Sequence, residues 1–166
     1  MTVALGSVAC GSSDSGKTKR AAGPPGTQTF GGLGRNHTDA PVAYPQTPPV
    51  GGNHSPRWQN CGFYSQPVPA ERAVHSMEHG AVWITYRPGL AESDLSRLRK
   101  FAQEGYVLIS PFEGLPGPVV ATAWGRQLRP DSVQDPRLAT FVSDFRRGPQ
   151  TPEPGAPCTG GIGTPE

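Results

Sequence analysis

Hydrophobic residues recur at helical spacing in three segments of the chain after residue 69. The clearest is residues 91–104, where one face is apolar and Gly105 follows the last turn. Another segment begins with Asp135, a residue type that caps helix N-termini, followed directly by a proline. Its apolar face continues for about three turns. Residues 70–79 carry a shorter pattern that stops at Gly80. These segments predict three helices.

Three further segments are rich in β-branched and aromatic residues, as buried strands are. They cover residues 81–86, 106–110 and 118–124, and the last could extend to Leu128. The predicted order is therefore helix, strand, helix, strand, strand, helix. This order predicts an α+β fold with a small, largely antiparallel sheet and helices on one face.

The first sixty residues and the last twenty lack this periodicity, and they hold most of the 22 glycines and 20 prolines. Residues 1–29 predict a leader remnant and a disordered linker, because so few apolar residues cannot offset the entropy of ordering. Seven prolines between residues 41 and 69 exclude a regular helix and predict a long, ordered Pro/Gly-rich loop. We expect a single domain over residues 30–160 and a tail at 161–166.

The charge pattern argues against a nucleic-acid partner. The formal net charge is +2, with both signs mixed along the chain, whereas nucleic-acid binders carry a basic patch or stripe. No apolar run approaches the roughly 20 residues that a membrane-spanning helix needs.

The beginning of the chain is typical of the end of a lipoprotein signal. Small and apolar residues from Met1 to Ala9 lead to Cys10, which would carry the lipid, and a Gly/Ser-rich tether follows. The stretch is short and lacks a basic region, which a start site further upstream would explain. The alternative is a disordered N-terminus with an incidental cysteine. Lipidation would anchor the protein to a membrane at Cys10.

Cysteine usage supports export. If Cys10 carries a lipid, Cys61 and Cys158 remain as a pair. A disulfide between them would close a loop of about 97 residues and stabilise the fold by about 4 to 5 kcal/mol. It would also indicate an oxidising, extracytoplasmic compartment. The alternatives are two unpaired thiols, or Cys61 as a nucleophile with a histidine base.

All four histidines lie before residue 80, although half the chain follows it. His75 and His79 are spaced i, i+4 and project from the same face of the predicted helix. His54 and His37 lie in the proline-rich loop and could supply further ligands. Three or four imidazoles suit copper or zinc better than magnesium or calcium. The alternative is that these histidines are hydrogen-bonded parts of a small core.

The same helix fits a second pattern. His75–His79 matches H-x-x-E-H, in which two histidines bind zinc and the glutamate, here Glu78, is the general base of a peptidase. Glu78 could instead orient a ligand imidazole.

Three motifs together resemble one bacterial protein family. The segments Tyr44–His54, Trp58–Tyr64 and Ala73–Tyr86 are similar to those of the family catalogued as domain of unknown function 3105. The resemblance covers about residues 30–160. It implies an exported protein, often with an N-terminal membrane anchor or lipoprotein signal, in a family common in actinobacteria. It implies no reaction.

The favoured hypothesis is an extracytoplasmic domain that binds copper or zinc through histidines. A metal-dependent hydrolase with Glu78 as base is one alternative, and a non-catalytic cell-surface interaction domain is another. The sequence leaves the choice of metal, the substrate and any protein partner open. The predicted metal ligands are His75, His79, His54 and His37.

Overall fold

Six strands and three helices make up the part of the chain that the computed structural model describes, residues 22–166. Residues 1–21, which include Cys10 and most of the proposed leader and linker, lie outside the described residues, whereas residues 22–29 are described and end in a short strand. In chain order the elements are β1 (Gln28–Thr29), β2 (Gly62–Phe63), α1 (Ala70–Glu78), β3 (Val82–Tyr86), α2 (Glu92–Ala102), β4 (Val107–Pro111), β5 (Val119–Ala123), β6 (Arg126–Leu128) and α3 (Pro136–Phe145).

The strands form one mixed sheet in the order β1-β6-β5-β3-β4-β2. The pairings β1–β6, β5–β6 and β3–β5 are antiparallel, whereas β4 is parallel to both β3 and β2. The parallel pair β3–β4 is connected through α2, as parallel neighbours require a crossover. The predicted α+β class with a largely antiparallel sheet is confirmed.

One face of the sheet holds the larger core. Val82, Ile84 and Tyr86 alternate along β3 toward this face, and they pack with residues of α2 and α3 such as Leu98 and Phe141. Both helices present the apolar faces that the sequence predicts. Asp135 caps α3 as expected, because its side chain accepts a hydrogen bond from the backbone N–H of Arg137.

Helix α1 covers the opposite face. Its residues Ala73, Val74 and Met77 pack with Trp83 and Leu108, which point away from the larger core. The prediction that the helices lie on one face of the sheet is therefore confirmed for α2 and α3 and wrong for α1, which covers the other face together with the loops around it. This division places the histidines of α1 on the side of the long N-terminal loop.

The predicted strand from residue 118 is in fact a hairpin. Strand β5 ends at Ala123, the chain turns at Trp124 and Gly125, and β6 returns beside it. Gly125 has φ of 65°, a left-handed conformation that glycine adopts without strain. The turn also anchors the N-terminal loop, since the N–H of Gly125 donates to the carbonyl of Val50 at 2.7 Å.

Both ends of the described chain are attached to the sheet or the loop. Gln28 and Thr29 pair with β6, and Gln59 forms an isolated bridge with Ile162. Cys61 and Cys158 form the expected disulfide, with Cα atoms 5.4 Å apart and a sequence separation of 97. Across residues 22–166, no helix combines the length and apolar character needed to cross a membrane.

Candidate metal centre

The structure brings all four histidines together. The ring centroids of His37, His54 and His75 lie 4.9 to 5.0 Å from one another, and the His79 ring lies 4.5 Å from that of His75. His54, His75 and His79 are buried, whereas the side chain of His37 is 47% exposed. The imidazoles that the sequence grouped by spacing therefore converge from the helix and the loop.

A carboxylate joins three of these histidines. His37, His54, His75 and Glu78 each offer one ligand atom, and these four atoms lie within 4.8 Å of one another. His79 is outside this set, although its Nε2 is only 2.9 Å from the Nε2 of His75. The predicted ligands His37, His54 and His75 thus form a group with Glu78, and His79 lies beside it. Their assignment as metal ligands stays a prediction.

The sequence predicts Glu78 only as a base or as a support for a histidine, and not as a ligand. Its position three residues after His75, on the same helical face, is the signal that would have pointed to a ligand. The side chain is 3% exposed, and its Oε2 lies 2.8 Å from Nε2 of His54 and 3.8 Å from Nε2 of His37.

Backbone carbonyls fix the orientation of the three buried imidazoles. The Nδ1 of His54 lies 2.8 Å from the carbonyl oxygen of Gly52, that of His75 lies 2.7 Å from Ser55, and that of His79 lies 2.7 Å from Pro157. A carbonyl can only accept, so these contacts assign the ring proton to Nδ1 in each case. In the neutral form of such a ring, Nε2 carries a lone pair, which is the state that metal-binding histidines require.

The arrangement of these lone pairs is unfavourable without a cation. Nε2 of His75 and Nε2 of His79 face each other at 2.9 Å, and when both rings are neutral with the proton on Nδ1, these two atoms are both acceptors. Burial first, and then the neighbouring His79, His54 and His37, lower the pKa of His75 from 6.5 to about 4 against the opposing effect of the Ser55 carbonyl. His75 is therefore neutral at neutral pH, and its lone pair is available to a metal.

Glu78 and His54 also lack the hydrogen bonds that buried polar atoms normally make. Oε2 of Glu78 and Nε2 of His54 are close, but they are not aligned for a hydrogen bond, and neither atom has another hydrogen-bond partner among residues 22–166. No described ion pair joins Glu78 to lysine or arginine. A carboxylate in this position needs a cation to offset its desolvation.

Local structure explains how the loop delivers its two histidines. The backbones of His37 and His54 form an isolated parallel bridge, in which the N–H of Thr38 donates to the carbonyl of His54 at 2.7 Å. The amide of Gln127 in β6 donates to the carbonyl of Pro48 at 3.0 Å, which holds the segment before His54 against the sheet.

The C-terminal tail completes the surroundings of His79. Cys158 is bonded to Cys61, and the preceding residue, Pro157, provides the carbonyl oxygen next to Nδ1 of His79. The carboxylate of Glu153 lies 3.6 Å from Nε2 of His79. The disulfide therefore keeps the Pro157 carbonyl next to His79. It also leaves Cys61 without the free thiol that a nucleophile would need.

Two tryptophans border the cluster. The ring centroid of Trp58 lies 4.9 Å from that of His79 and 5.7 Å from that of His75, and Trp124 meets His54 edge-on at 5.9 Å. Met77 is fully buried among the core residues Val74, Trp83 and Leu108. The site accordingly offers imidazole and carboxylate donors within aromatic walls, and the described residues around it add no sulfur donor.

Comparison with known proteins gives one match. Residues 36–160 match the model of the family described as protein of unknown function (DUF3105), which covers the loop, most of the sheet and all three helices. No curated protein and no solved structure matches the chain. Since the family model spans most of the sequence, this chain belongs to the DUF3105 family.

Proposed function

We propose that this domain binds one copper or zinc ion through His54, His75, Glu78 and His37, with His79 beside them. The observation that carries the proposal is the buried carboxylate of Glu78, which faces imidazole Nε2 atoms and forms no ion pair with a lysine or arginine among the described residues. A divalent cation bound to these atoms would neutralise the Glu78 carboxylate and would also accept the lone pairs of the imidazole Nε2 atoms.

The donor set favours some metals over others. Imidazole nitrogens suit zinc and copper, and a carboxylate oxygen is an ordinary additional ligand for zinc. Both cysteines of the described chain are bonded to each other, so neither provides a thiolate that would favour Cu(I). Copper has the higher intrinsic affinity for such sites, and zinc the simpler coordination demands.

The test is metal analysis of the full chain purified without a histidine tag, loaded with copper or zinc and freed of excess ion. We expect one ion per chain, and we expect His75→Gln and Glu78→Gln to weaken binding at least about tenfold. Glu71→Gln is the matched control, because Glu71 is also on α1 but accepts a hydrogen bond from Val42 instead. Absence of a stoichiometric ion in the loaded wild-type protein would refute the proposal.

The hydrolase alternative predicts a different result for the same variant. Oε2 of Glu78 lies within 4.8 Å of three imidazole donors, close enough to act on a water bound to the same ion. If Glu78→Gln retained the ion and abolished hydrolysis of a substrate, Glu78 would be a general base. If the ion were lost with the carboxylate, Glu78 would be a ligand.

We also propose that the domain functions outside the cytoplasm, attached to the membrane through a lipid at Cys10. The Cys61–Cys158 disulfide supports an oxidising compartment. Cell fractionation with mass analysis tests the anchor: the wild-type protein should carry a lipid and sediment with membranes, and Cys10→Ser should abolish both. An unmodified wild-type Cys10 would exclude the anchor.

A further inference from the structure

A cleft of about 430 Å³ lies between the N-terminal loop, the β5–β6 turn and the C-terminal tail. It is separate from the histidine cluster but shares a wall with it, because Trp124 lines the cleft and contacts His54. The side chains that matter most for its chemistry are those of Phe30, Leu33, Arg35, Trp124, Arg126 and Gln150.

The cleft is lined by two guanidinium groups, and no carboxylate is among its described lining residues. Arg35 is exposed and Arg126 is partly buried, and neither forms an ion pair with any residue between 22 and 166. The Nε of Arg126 is buried and has no hydrogen-bond partner in that range, while its Nη1 donates to the carbonyl of Gly125 at 2.9 Å. A guanidinium group that lines a cleft and forms no ion pair among the described residues is a ready contact for an anion.

The remaining lining adds apolar surface and one acceptor. The rings of Trp124 and Phe30 and the side chain of Leu33 provide a non-polar side. The amide of Gln150 donates through Nε2 to the carbonyl of Phe145, which leaves its buried Oε1 without a donor among the described atoms. Ligand sites typically combine mostly apolar walls with a few polar groups of fixed orientation.

We propose that this cleft binds a small organic acid. Its carboxylate or phosphate group contacts Arg126 and Arg35, and its non-polar part lies against Trp124 and Leu33. The proposal rests on the cleft alone and does not require a metal in the histidine cluster. If both proposals hold, the bound acid lies beside the metal centre across Trp124.

The experiment uses the metal-free full chain at constant ionic strength, with the arginine Nε–H resonances followed by NMR. Benzoate and inorganic phosphate are the two anionic probes, and benzamide is the uncharged counterpart of benzoate. We expect at least one anion to shift the Arg126 resonance saturably and benzamide to have no such effect. Tighter binding of benzoate would identify a carboxylic acid, and tighter binding of phosphate would identify a phosphorylated ligand.

Variants locate the site. Arg126→Gln should weaken anion binding about tenfold or more, Arg35→Gln several-fold, and Arg87→Gln, an exposed arginine outside the cleft, not at all. Arg35 is exposed on a loop, so its variant provides the test even if Arg126→Gln fails to fold. Shifts that never saturate, or affinities that neither cleft variant changes, would overturn the proposal.

Discussion

Removing the Cys61–Cys158 disulfide should cost a large part of the stability of the domain. The bond joins residues 97 apart, so it restricts a loop that includes β2 to β6 and all three helices. The chain-entropy model gives about 4 to 5 kcal/mol for a loop of this length. Because domains are stable by only about 5 to 15 kcal/mol, the double variant Cys61→Ser/Cys158→Ser should be only marginally folded.

Urea unfolding of the metal-free protein measures this loss without a contribution from bound ion. In thermal unfolding, at about 2 to 4 °C per kcal/mol for a chain of this size, the melting temperature should fall by roughly 8 to 20 °C. Cys10→Ser is the matched control, since it removes a cysteine outside the described domain. Wild-type protein treated with a reductant should behave like the double variant.

A loss below about 1 kcal/mol would refute this reasoning, because it would mean that the tail adds little constraint to the unfolded chain. A wild-type protein whose stability does not respond to reductant would refute it equally. A second measurement on the same samples is the affinity for copper or zinc. Without the disulfide, Pro157 is no longer tethered next to His79. Metal affinity should therefore fall in the double variant even under conditions in which it remains folded.

Two further predictions concern the core and the last helix. Leu98→Ala on α2 should lower the free energy of unfolding by about 2 to 5 kcal/mol in urea, because Leu98 is fully buried. Leu95→Ala, at a partly buried position of the same helix, should lower it clearly less. Equal losses of stability in the two variants would contradict the packing described. The hydrogen bond from Arg137 lowers the pKa of Asp135 from its ordinary value near 3.8 to about 2. The ionised Asp135 therefore stabilises the folded state fully above about pH 4, and this contribution is lost as the pH falls toward 2. Unfolding measured between pH 4 and 2 should therefore depend less on pH in Asp135→Asn than in wild type, and identical pH profiles would show that this carboxylate contributes nothing.

Local sequence signals predicted the regular elements well. The capping pair Asp135-Pro136, the apolar face around Leu98 and the stop at Gly80 all depend on neighbours within one or two turns, and the structure shows each element within a few residues of its predicted bounds. Strands β1 and β2 were not predicted, because two residues are too short to carry a period.

The candidate site was only half predictable for a related reason. The i, i+4 spacing of His75 and His79 is a property of one helix, and the structure places their side chains together. The spacing of Glu78 from His75 on the same helix is also a local signal, but the approach of His54 and His37 from a loop is not encoded by any local pattern. The carbonyl groups of Ser55 and Pro157 act through the backbone, so any residue type could provide them.

Because His37 is exposed, the rate at which the proposed centre takes up an ion and its preference for one ion over another should depend on different residues. His54, His75 and Glu78 are enclosed, and carbonyls hold both buried imidazoles in place, while no described residue hydrogen-bonds to Nδ1 of His37. An ion arriving from solvent would therefore meet His37 first and leave past it last. The rates of loading and release should then depend on this surface loop, whereas the equilibrium preference for one ion over another should depend mainly on the enclosed donors.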